Sequence, residues 1–113
     1  MFRLAVWNMS HWQNESTGRT SRAWDALASL NPDVALVQEA RVPPDLQASS
    51  VGREIGGSRP WGSAVIGFAT PVIPVTAAKG VAAARETDLR SLHGSVAVAQ
   101  ASIDGQPRTF ISM

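Results

Sequence analysis

Apolar residues along this chain fall into short runs separated by polar stretches marked with glycine and proline, a pattern that predicts short strands and one amphipathic helix. Residues 2–7 alternate weakly and are rich in strand formers, which predicts a first strand ending at Asn8. Residues 9–18 are polar, with Trp12 as their one large apolar group, and predict a surface loop. Ala23, Trp24, Leu27 and Leu30 then share one stripe at helical spacing, with Thr20 or Ser21 placed to cap the start and Asn31-Pro32 to end it. Residues 34–41 read Val-Ala-Leu-Val-Gln-Glu-Ala-Arg after a Pro-Asp turn signal. Four consecutive apolar residues with no polar side at 3.6-residue spacing predict a buried strand, and an acid, Glu39, closes it. Strand, helix and strand make the start of an α/β layer, with Trp24 and Leu27 packed on the sheet.

The second half predicts mostly sheet. After Pro43, a short helix starts with Pro44 in its first turn, and residues 49–60, with three glycines, read as a loop. Residues 61–68 predict a strand, and residues 72–75, bracketed by Pro71 and Pro74, a short edge strand. Residues 77–93 mix alanines with Gly80 and receive no firm assignment. Residues 95–103 alternate Val96 and Val98 with small residues, Asp104-Gly105 is a hairpin signal, and residues 108–112 begin the antiparallel partner. These strands look like one sheet of a larger layered structure whose other face is left bare. No internal repeat, low-complexity tract or linker marks a second domain.

Composition narrows the class without naming a partner. With 113 residues, 44% hydrophobic and 17% charged, the chain is a globular sequence of one domain at most. A net charge of +1 gives no electrostatic case for nucleic acid or an anionic membrane, and Arg41, Arg53 and Arg59 are scattered rather than clustered. The absence of cysteine excludes disulfides and thiolate metal sites. The apolar start stops at Asn8, too short for a signal segment or a membrane span, so the expectation is a soluble, cytoplasmic protein.

Candidate chemistry collects at the strand ends. A carboxylate closing a buried strand is either exposed at the rim of the sheet or holds a positive charge, so Glu39 is a candidate cation ligand or the ion-pair partner of an arginine such as Arg41. Asn8, at the end of the first strand, is a candidate amide ligand or an ordinary turn residue satisfying backbone groups. Arg19 and Arg22 flank the helix start, where a phosphate could bind, although arginines at helix starts are usually just solvated. His11 and His93 sit in loops with no acid placed to orient them and are read as surface histidines.

The order Trp7-Asn8, helix, Asn31-Pro32-Asp33-Val34-Ala35-Leu36-Val37-Gln38-Glu39, the Gly62-Ser63-Ala64-Val65 strand and the hairpin into Phe110-Ile111-Ser112-Met113 resembles the amino-terminal half of the endonuclease/exonuclease/phosphatase family. The resemblance implies a deoxyribonuclease I-like fold, a four-layered α/β sandwich of two mixed sheets, of which this chain is a truncated part. It implies Mg²⁺-dependent (or Mn²⁺-dependent) hydrolysis of phosphoesters, with nucleic acid among the candidate substrates. Glu39 then binds the metal, Asn8 supports the metal or phosphate site, and both are the catalytic candidates. Arg41 resembles a substrate-contacting arginine of the DNA-cleaving branch. Ser10 stands where some members carry an Asp. The family's general base and catalytic His belong to segments beyond Met113, so the expectation is a chain inactive by itself. The alternative class is a non-catalytic α/β binding module that associates with itself or another chain through the bare face.

Overall fold

The computed structural model describes residues 1–10, 18–52, 61–75 and 96–113. β1 (Leu4–Asn8) leads through α1 (Arg19–Ser29) to β2 (Val34–Ala40), which lies parallel to β1 with Leu4 opposite Val34 and Asn8 opposite Gln38. A 3-10 helix (Pro44–Ser49) and β3 (Ser50–Gly52) follow, then β4 (Gly62–Gly67), antiparallel to both β2 and β3. The first sheet therefore has the order β1-β2-β4-β3. A second sheet of order β5-β6-β7 comprises β5 (Ile73–Pro74), β6 (Ala97–Ile103) and β7 (Gln106–Ser112), all antiparallel.

The hydrophobic pattern explains this layering. β2 buries residues on both faces, as its unbroken apolar start demands. One face, with Ala35 and Val37, meets Trp24 and Leu27 of α1, and the other, with Val34, meets Ala97, Ala99 and Ala101 of β6. The described residues thus form three layers of helix, sheet and sheet. Small alanines on β6 let the second sheet approach the first closely, and Phe2 and Phe110 close that layer with ring centroids 5.8 Å apart. Asp33 fastens the opposite end of β2: its carboxylate accepts from the Arg3 backbone N–H at 2.8 Å and from the Thr70 hydroxyl at 3.2 Å.

Several expectations need correction in detail. The helix begins one residue before Thr20, with Gly18 in the left-handed region (φ 69) at its start and no side-chain cap, because glycine adopts that conformation without steric cost. Leu30 is exposed rather than packed, since the helix has ended by then. The loop expected over residues 49–60 contains β3: Ser-Val-Gly has no alternation to betray it and is a strand only because Val51 pairs with Val65. The edge position of β5 and the Asp104-Gly105 hairpin agree with expectation, and both turn residues have positive φ, as a two-residue turn of this hand requires. The unassigned residues 77–93, together with His11, Trp12, Arg53, Arg59 and His93, lie outside the described residues.

One glycine closes the core tightly. A Cβ on Gly67 would strike the backbone oxygen of Thr70 and lie 3.1 Å from the Val72 nitrogen, and backbone cannot swing aside. Gly67→Ala is expected to lower stability by about 1–3 kcal/mol, the usual range for overpacking, read as a fall in the urea midpoint at unchanged slope.

Candidate active site at the paired strand ends

β1 and β2 run parallel, so their carboxyl ends come out together, and the Met9 N–H extends the pairing by donating to the Gln38 carbonyl at 2.8 Å. Beyond this point β2 departs from regular geometry. Between Val37 and Ala40 its register against β4 slips by one residue, and within that bulge Glu39 has φ 48. The left-handed conformation costs an ordinary L-residue roughly 1–2 kcal/mol and is the habit of glycine. Strain retained at a half-buried glutamate directs attention to what its carboxylate does.

That carboxylate is held. The Asn8 Nδ2 donates to Glu39 Oε1 at 3.1 Å. Asn8 Oδ1 accepts from the Ser10 backbone N–H at 2.9 Å and from the Ser10 hydroxyl at 3.3 Å. A backbone N–H can only donate, so the Asn8 oxygen must face Ser10 and its nitrogen must face Glu39. The sequence therefore builds an Asn-x-Ser turn, with Ser10 at φ 46, that fixes an amide which in turn fixes an acid.

Next to Glu39, Gln38 ties the two sheets together. Its Nε2 donates to Ser112 Oγ at 3.0 Å, and the Ser112 hydroxyl donates to the Val37 carbonyl at 2.8 Å. Ser112 is 1% exposed, so this is a buried bridge from β7 to the strand that carries Glu39.

The structure brings Asn8 and Glu39 together and places Arg41 elsewhere. Asn8 opens onto a cavity of about 430 Å³ shared with Ser10, Arg19 and Arg22, whereas Arg41 lines a separate cavity of about 570 Å³ between α1 and the 3-10 helix. Among the described residues, no group of three or more His, Cys, Asp or Glu side chains gathers to hold a metal, and no helix is long and apolar enough to cross a membrane. Sequence reasoning passed over Ser10 and Ser112 as positioning residues. For Ser10 the signal was present, because Asn followed two residues later by Ser is an Asx-turn pattern. Ser112 lies 74 residues from Gln38, a separation across which local pattern carries no information.

Two sheets packed face to face, with a helix over the first and polar groups at its parallel strand ends, make a mixed α/β fold. Over 99% of its length the chain is similar to the endonuclease domain of TRAS1, a telomere-specific non-LTR retrotransposon, with a TM-score of 0.59 and 17% identity. It spans 43% of that chain's length. At this identity the likeness is one of fold. No family model and no curated protein matches the sequence.

Proposed function

We propose that this chain carries the cation-binding edge of a phosphoester hydrolase of nuclease type, and that Glu39 is its metal ligand. The observation that supports this reading best is the Asn8-held carboxylate on a strained bulge at the paired strand ends. A carboxylate oxygen is the donor that a hard cation such as Mg²⁺, and Mn²⁺ after it, takes, whereas Zn²⁺ calls for several nitrogen or sulfur ligands and Ca²⁺ for six or more oxygens. When bound, such a cation supplies Lewis-acid stabilisation to the phosphoryl and leaving oxygens and makes bound water more acidic.

The chain's own residues divide the remaining work. Glu39 presents oxygen ligands, and Asn8 is a positioning residue whose amide nitrogen keeps Glu39 aimed while its oxygen is engaged by Ser10. Arg19 and Arg22, on the cavity that Asn8 shares, offer positive charge to the phosphates of a substrate such as a nucleic-acid strand. The described residues include no histidine, so a His–carboxylate pair to activate water is not among them. We infer that the complete domain is the four-layered sandwich, that this chain contributes its amino-terminal part, and that the chain alone does not turn over phosphoesters.

A titration with Mg²⁺ followed through the backbone amide resonances tests the metal reading. Selective, saturable shifts at Asn8, Ser10 and Glu39 are expected, with Mn²⁺ broadening the same signals. A dispersed spectrum silent to both cations overturns it. Asn8→Ala is expected to weaken the Mg²⁺ response about tenfold or more, the usual cost of removing a partner that orients a ligand.

One observation favours a second reading, a binding module. Val6 is 64% exposed and Leu4 47% on the edge strand β1, and Ile73 and Ile111 are exposed on the second sheet. A strand edge with bare apolar side chains is a surface for pairing, and concentration-dependent sedimentation at micromolar protein would reveal self-association there.

A further inference from the structure

The bulge that carries Glu39 is gripped from two sides. Val37 is the last residue of β2 in register with β4, opposite Ala64, and pairing resumes only at Ala40, opposite Gly62. Gln38 and Glu39 therefore share one partner position, and a bulge of this kind leaves one residue outside the ladder. A positive φ at a residue other than glycine persists only where surrounding contacts over-determine it, so residues 38 and 39 must be held in this path. From β1, the Asn8 amide holds the Glu39 carboxylate. From the second sheet, Ser112 of β7 holds Val37 and Gln38.

Both hydrogen bonds of the Ser112 hydroxyl cross to β2. It donates to the Val37 carbonyl at 2.8 Å and, with its one proton given, can only accept from the Gln38 Nε2 at 3.0 Å. One bond thus pins the residue where the regular ladder stops, and the other pins the first residue of the bulge. Burying a hydroxyl is costly unless it is hydrogen-bonded, and alanine carries no such cost. Alanine also suits this layer: Ser112 stands opposite Ala97 on β6, and Ala97, Ala99 and Ala101 belong to the core between the sheets. Filling space there does not call for a serine. Fixing the path of β2 does.

We propose that Ser112 and Gln38 are a positioning pair for Glu39: they tie β7 to β2 where the ladder breaks, keep the bulge in its strained form and so aim the carboxylate. Neither residue touches the cation, yet the seating of the second sheet on the first sets the geometry of its site. The hold on the bulge follows from the hydrogen bonds and the register; its consequence for a cation rests on the reading of Glu39 as a metal ligand.

The test compares the protein with Ser112→Ala, with Gln38→Met, which keeps the side-chain length without the amide, and with the double variant. In metal-free buffer the three-bond coupling between the Glu39 N–H and its Hα reports φ. It is expected to rise toward the extended-strand value in each single variant, while the Asn8 side-chain amide resonances shift. The double variant should match Ser112→Ala, because the serine change already removes the link that the glutamine change breaks. Mg²⁺ affinity is expected to fall about tenfold in Ser112→Ala, and Gly67→Ala, destabilised at a place remote from the bulge, should leave both coupling and affinity unchanged. A coupling unaltered in Ser112→Ala, one that Gly67→Ala moves equally, strictly additive effects in the double variant, or a wild-type coupling already at the extended value each overturns the proposal. If Ser112→Ala does not fold, Gln38→Met at its half-buried position gives the same readout. A wild-type protein silent to Mg²⁺ overturns the metal reading alone, since the coupling is measured without a cation.

Discussion

Leu27→Ala is expected to lower stability by about 3 kcal/mol, a large part of the 5–15 kcal/mol that holds a typical domain folded. Leu27 is fully buried, and with Trp24 it is the contact through which α1 covers Ala35, Val37 and Ile66 on the sheet. Little else fastens the helix. It has no side-chain cap, no acid in its first turn and no base in its last, so tertiary burial must supply what its ends do not. A cavity under α1 would also loosen the connection between β1 and β2, whose paired ends hold Asn8 and Glu39. Urea unfolding measures the effect, and Leu30→Ala, at a position 57% exposed, is the control expected to stay within about 0.5 kcal/mol. If Leu27→Ala cost no more than the control, the packing of α1 on the sheet would be wrong.

How much of this was legible beforehand depended on whether a residue's role is set locally. The buried β2 could be read from four apolar residues in a row, and the β6–β7 turn from Asp104-Gly105, because each carries its own signal in a few positions. β3 could not, since nothing in Ser50-Val51-Gly52 requires a strand until β4 lies beside it. The site divided the same way. Glu39 and Asn8 could be placed at strand ends by pattern, but the bulge that turns Glu39 into the left-handed region exists only as a mismatch of register with β4. Arg41 shows the limit most clearly. Two residues past Glu39 in an extended strand it would share the same face, yet the strand ends at Ala40 and Arg41 goes to the cavity beside α1.

The bulge yields the sharpest prediction about Glu39, because function and stability pull apart there. Replacing Glu39 by Gln, Ala or Gly is expected to abolish the selective Mg²⁺ response, since each removes the carboxylate that a hard cation requires. Their stabilities should not fall in the usual order. In an ordinary strand, glycine is about 0.5–1 kcal/mol worse than alanine, because it loses more backbone freedom on folding. At φ 48, alanine retains a steric cost of roughly 1–2 kcal/mol that glycine escapes. The second term exceeds the first, so Glu39→Gly should be more stable than Glu39→Ala by up to about 1 kcal/mol, measured by urea unfolding of the two variants. Glu39→Gln keeps an oxygen to accept from Asn8 and should preserve the turn through Ser10. The reversed glycine–alanine order together with a lost metal response in all three variants would mean that the chain holds a strained backbone in place for the sake of one carboxylate. The ordinary order would mean that the bulge is relaxed in solution, and the argument from strain to function would fall with it.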